Sequence, residues 1–126
     1  MVKKVLLDTN IIIVPAQFNV DIYAEIKRLI DSNYELYVLD KTLHELDVLI
    51  ETRRGKEKAA VKLAKAILEA KKPKTLKTTS EDYVDDVILG LDGYIVATND
   101  KALRSKLKKK GVTTIVLRQK NHLVLE

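Results

Sequence analysis

The sequence predicts one α/β domain of three layers, a central and mostly parallel sheet of about five strands with helices on both faces. Three observations carry this. Short apolar runs rich in Val, Ile and Leu recur along the chain, as in strands buried on both faces. Amphipathic helical patterns separate them, and that alternation produces parallel sheets with crossover helices. The 126 residues are the usual size of one domain, so residues 1–126 are read as a single unit.

The expected strands are Lys4–Leu7, Glu35–Leu39, Thr75–Thr78, Tyr94–Ala97 and Thr113–Leu117. A helix near Asn10–Val14 must stop before Pro15 or restart beyond it, because proline removes a donor and crowds the preceding turn. Val20–Asp31 places Ile22, Ile26, Leu29 and Ile30 on one side. Lys41–Glu51 does the same with Leu43, Leu46, Leu49 and Ile50. Lys56–Lys71 aligns Ala60, Leu63, Ala64, Ile67 and Leu68. Asp82–Leu91 and Lys101–Lys109 supply two more helices, the second closed by Gly111. The tail Asn121–Glu126 reads as a short edge strand or a docking segment. No internal repeat or linker is visible.

Composition narrows the chemistry. Hydrophobic residues make up 46% and charged residues 33%, the balance of a folded domain and not of a disordered tail. No apolar run is long enough to cross a bilayer, and the apolar stretch of MVKKVLLDTN is short and meets Asp8, so no secretory signal or membrane association is expected and the cytoplasm is the default. The absence of cysteine excludes disulfides, thiolate metal sites and a cysteine nucleophile. His44 and His122 make no zinc pattern, and His44 reads as a helix-surface histidine. A metal site would therefore be built mainly from oxygen ligands, which suits magnesium or manganese.

The net charge is +5 and the pI about 9.3, but the signs are segregated. Basic residues crowd Arg53 to Lys77 and Lys101 to Lys110, while acids crowd Glu81 to Asp92. That split would attract a polyanion while holding cations at one spot, although a solvated surface rich in Lys and Glu has the same composition.

Two apolar strands run directly into acids: Val5-Leu6-Leu7 into Asp8-Thr9-Asn10, and Ile95-Val96-Ala97 into Thr98-Asn99-Asp100. Sites of open parallel sheets form outside the carboxyl ends of the strands, at a topological switch point. If these strands are neighbours, Asp8 and Asp100 face each other there. Glu45 and one of Asp82, Asp85 or Asp86 lie on helices that could reach the same edge. Each acid alone also has a plainer reading, Asp8 or Asp100 as a helix cap and the rest as surface. Two carboxylates about 4 Å apart repel by about 1 kcal/mol in water and about 4 kcal/mol at an effective dielectric of 20. A divalent cation removes that conflict and activates a water for attack on a phosphodiester.

The motifs VLLDTN, HELDVL, YVDDVIL and YIVATNDKALRSKLKKKGVTTIVLR together resemble a PIN domain over nearly the whole chain. The closing block is the most specific and is similar to archaeal PIN proteins and to PIN nucleases of ribosomal RNA processing; VapC toxins share the core more distantly. The resemblance implies a magnesium- or manganese-dependent endoribonuclease leaving a 5′-phosphate and a 3′-hydroxyl. By position its acids are Asp8, Glu45, Asp86 and Asp100, with Asn10 and Thr98 steadying the site by hydrogen bonds. Between the third and fourth acids the chain is about one helical turn shorter than the family's usual spacing. The register using Asp82 restores that spacing but puts Asp85 and Asp86 where apolar residues belong. Asp86 is therefore preferred, with Asp85 next.

RNA is the implied partner, with Lys101, Arg104, Arg53 and Arg54 as the expected substrate contacts; Lys56 and Lys108 extend the two basic sets. An antitoxin would be a second partner for a toxin, and a homodimer is in keeping with the family. The five tyrosines are scattered and form no stacking motif. The glycines form no dinucleotide fingerprint or P-loop, and no Ser/His/Asp elbow is present. The alternative is a PIN-fold module that binds RNA or protein without catalysis. A phosphate-receiving signalling domain also uses strand-end acids, but the T-N-D block and basic helix fit it poorly.

Overall fold

The computed structural model describes residues 2–78 and 83–126. Its elements, in chain order, are β1 (Lys3–Leu7), α1 (Thr9–Phe18), α2 (Ile22–Leu29), β2 (Tyr34–Leu39), α3 (Asp40–Thr52), α4 (Gly55–Ala70), β3 (Lys74–Leu76), α5 (Val84–Leu89), β4 (Tyr94–Ala97), α6 (Lys101–Lys110), β5 (Thr114–Arg118) and β6 (His122–Leu125).

The sheet order is β3-β2-β1-β4-β5-β6. All pairs are parallel except β5 and β6, which run antiparallel with Leu117 opposite Leu123. The sheet thus has one strand more than expected: the tail is an edge strand. A short turn through Gln119 and Lys120, both in the left-handed region, permits the reversal. The chain steps outward from β1 in both directions, so the switch point lies between β1 and β4, where Leu7 is level with Ala97.

Alternation along the central strands builds two cores. Val5 and Leu7 of β1 and Val38 of β2 face one side, packed with Ile11, Ile12, Ile22, Ile26, Leu46, Ala64 and Leu68 of α1 to α4. Leu6, Leu39 and Val96 face the other, packed with Ile88 of α5 and Leu103 and Leu107 of α6. The period of two in the strands and about 3.6 in the helices sets the sorting into three layers.

Two boundaries differ from the sequence reading. Helix α1 runs through Pro15 instead of stopping. Its apolar residues Ile11, Ile12 and Val14 are fully buried, and that packing outweighs the single backbone bond the proline removes. Helix α5 is only six residues long, shorter than the predicted Asp82–Leu91. Asp82, the alternative third acid, lies outside the described residues. No helix among the described residues is long and apolar enough to cross a membrane.

Candidate active site

The switch point carries the acids. Asp8 follows β1 and is the N-cap of α1, its Oδ1 accepting from the Thr9 amide at 2.9 Å. The Asp8 amide donates to the Ala97 carbonyl at 3.0 Å, which ties the β1 and β4 exits together. Thr98, completely buried, donates its hydroxyl to Asp8 Oδ2 at 2.8 Å. Asn10 Oδ1 accepts from the Asn99 amide at 2.8 Å and lies 3.3 Å from the Thr98 hydroxyl. The Asp100 amide in turn donates to Thr98 Oγ1 at 3.2 Å. Thr98 and Asn10 therefore join the two strand ends into one rigid corner.

Asp100 caps α6, its Oδ1 accepting from Ala102 and Leu103 amides at 2.9 and 3.1 Å. Capping and clustering are not alternatives here. One oxygen orders the helix start, and the carboxylate as a whole still lines the cleft. Glu45, on α3, is oriented by the Thr9 hydroxyl, which donates to Oε2 at 3.0 Å. The acids open onto a cleft of about 610 Å³ whose wall includes Asp8, Glu45, Asp85, Asp86, Asp100 and Lys106.

Electrostatics distinguishes the two adjacent aspartates of α5. Burial, then the charges of Asp85 and Glu45, pushes the Asp8 carboxyl up, against bonds from Thr98 and Thr9 that pull it down. Asp85 is also pushed up, first by burial and then by the Asp100 charge, while Lys106 opposes the shift. Asp85 and Glu45 thus act on Asp8, and Asp100 and Asp86 act on Asp85, all of them on the wall of one cleft. Asp86 is exposed at the cleft wall. Adjacent helical residues point about 100° apart, so the two cannot face the centre together.

The predicted substrate contacts fare unequally. Arg104 is engaged elsewhere: its guanidinium holds Glu126, at 3.0 and 2.9 Å to the two carboxylate oxygens. Lys101 and Arg54 are exposed and line neither the cleft nor its neighbours. Arg53 lies with Lys56 in a groove that shares Ile13 and Leu49 with the cleft. Lys106, Thr9 and Tyr83 belong to the cleft wall and were not singled out in the sequence. For Lys106 the signal was present: it stands three residues after the core residue Leu103 and one before Leu107, on the side of α6 that meets α5.

A family model described as a PIN-like domain matches residues 5–120. The chain is a PIN-domain protein. Ribonuclease VapC4 of Methanocaldococcus jannaschii is 34% identical to it over 125 residues, 94% of this chain and 93% of that protein. The PIN domain endonuclease Utp24 superposes with a TM-score of 0.75 at 24% identity, covering 98% of this chain and 90% of the other. This PIN domain shares with Utp24 the mixed sheet and its covering helices.

The carboxylates of the PIN cleft fit a hard divalent cation: their donors are oxygens, and they outnumber Lys106 on the same wall. Among the described residues no three acidic or histidine side chains converge tightly enough to grip one ion directly.

Proposed function

We propose that this chain is a metal-dependent endoribonuclease that hydrolyses RNA phosphodiester bonds. The observation that carries the reading is the cluster of carboxylates lining one cleft at the switch point, with Asp8 among them buried. Such an arrangement costs stability by itself and is relieved by a cation. The 34% identity to a protein named as a ribonuclease supports it over the non-catalytic binding module.

In this reading Asp8 and Asp100 would hold the ion, with Glu45 and Asp85 completing the oxygen donors around it. When bound, the ion neutralises charge developing on the phosphate and makes a nearby water a better nucleophile. The chain's own groups do the rest. Thr98 and Asn10 fix the distance between the two strand-end acids, and the Thr9 hydroxyl holds Glu45 toward the cleft. Lys106 offers an ammonium to a phosphate on the α6 side, and Arg53 with Lys56 continues the track beyond Ile13 and Leu49. Of the two biological roles, the toxin type is favoured, because the similarity in sequence is to a VapC ribonuclease, while the Utp24 endonuclease is alike in fold only. An antitoxin that covers the acidic cleft is then the protein partner.

The decisive measurement is cleavage of a labelled single-stranded RNA with manganese, with magnesium and with EDTA. Cutting should occur with either ion, stop in EDTA and return when manganese is restored in excess. Cutting that persists in EDTA overturns the metal-dependent reading. Thr98→Val keeps the shape and removes the hydroxyl that orients Asp8. It should lower activity about 10- to 100-fold, the usual cost of losing a partner behind a metal ligand, with Thr98→Ser near wild type. Equal rates for Val and wild type would remove Thr98 from the site.

A further inference from the structure

We propose that the groove beside the carboxylate cleft is a subsite for one unpaired nucleobase of the RNA, with Tyr83 as its stacking platform. This rests on the ribonuclease reading and adds to it the residue that would hold a base beside the cut. The groove holds about 660 Å³, within the range of small-ligand sites, and its wall includes Asp40, His44, Val48 and Thr78. It shares Glu45, Tyr83 and Val84 with the cleft, so a chain whose phosphate lies at the acids passes directly into it.

Tyr83 is the most exposed large hydrophobic side chain among the described residues, at 84%, and Val48 beside the same groove is 40% exposed. An aromatic ring left in water next to the carboxylate cleft is suited to a base, because every base presents a π-face. Asp40 gives the groove a fixed acceptor: its oxygens accept from the Thr78 amide and hydroxyl and from the Lys41 amide. Exocyclic amines of a splayed base can complete that carboxylate. A base paired in a helix cannot reach the ring, whose stacking requires an unstacked nucleotide.

The test measures binding in EDTA, so that it does not depend on cleavage. Wild type, Tyr83→Ala and Tyr83→Phe are titrated at low salt with a short single-stranded RNA, its duplex, and a ribose-phosphate chain without bases. Tyr83→Ala should bind the single strand about tenfold more weakly, and Tyr83→Phe should keep the affinity. Neither change should alter binding to the duplex or to the abasic chain. Equal losses on all three ligands, or no loss on the single strand, would overturn the subsite. Loss confined to a protein partner, with RNA binding unchanged, would also overturn it, in favour of a protein side chain in the groove. The two readings separate cleanly. A Tyr83-dependent preference for single strands without metal-dependent cutting keeps the subsite and removes the nuclease. Metal-dependent cutting that is indifferent to Tyr83 does the reverse.

Discussion

Asp8→Asn should abolish RNA cleavage while making the metal-free protein harder to melt. The loss follows from removing the central carboxylate of the proposed site. Cation stabilisation of a phosphoryl transition state contributes several kcal/mol, and about 4 kcal/mol corresponds to roughly a thousandfold in rate. The gain follows from the same geometry. Burial, and then Asp85 and Glu45, holds the Asp8 carboxyl above its ordinary range in the folded chain. A carboxyl with a raised folded pKa binds its proton more tightly in the native state than in the unfolded chain. Its stabilising contribution is therefore fully present below the ordinary carboxylate range. Stability then declines as pH rises from that range through the raised folded value. Above that window the ionised group weighs against the fold, and asparagine does not.

Asparagine also keeps the cap, since its amide oxygen can accept from the Thr9 amide as Asp8 does. At neutral pH in EDTA the variant should melt about 2 to 4 °C higher. The difference should close as pH falls below the ordinary carboxylate range. Manganese should raise the melting temperature of wild type and leave the variant nearly unmoved. A variant that melts lower at neutral pH, or still cuts RNA, would overturn the role given to Asp8.

The second large effect distinguishes neighbours. Asp85→Asn should lower cleavage at least about a hundredfold, and Asp86→Asn should stay within about threefold of wild type. The reason is placement. The Asp85 charge pushes the Asp8 carboxyl up, and Asp85 is itself pushed up by burial and by the Asp100 charge, whereas Asp86 is exposed on the cleft wall. Single-turnover cleavage of one RNA by the two variants decides it, and a larger loss at Asp86 would restore the assignment made from motif position.

That contrast shows what was legible in the sequence. β1 and β4 were readable because buried central strands leave short apolar runs, and each run is followed within three residues by its acid. That the two strands are neighbours was a condition of the sequence reading, and the sheet order supplies it. Rotation about α5 was not readable. Motif position favours Asp86, but which of two adjacent residues faces inward depends on how six residues seat against α6. On the basic helix the spacing of Lys106 from Leu103 and Leu107 carried a signal, but the engagement of Arg104 did not. Arg104 and Lys106 are indistinguishable by composition, yet the first is held by Glu126 from the far end of the chain. Pro15 misled for a related reason, since propensity is local and the packing that retains α1 is not. Tyr83 carried no pattern at all; its standing comes from exposure beside a cleft assembled from distant segments.

The last strand has a bearing on how the molecule behaves in company. Sheets with open margins recruit strands from other chains. At β6 the outward groups of Leu123 are already occupied: its amide donates to Glu25, and its carbonyl accepts from Arg28, a pair of side chains on α2 that also bind each other. At the opposite margin β3 has only three residues and presents Lys74, paired with Glu35. Both flanks of the sheet are thus guarded against polymerisation, one by side chains that mimic a neighbouring strand and the other by brevity and charge.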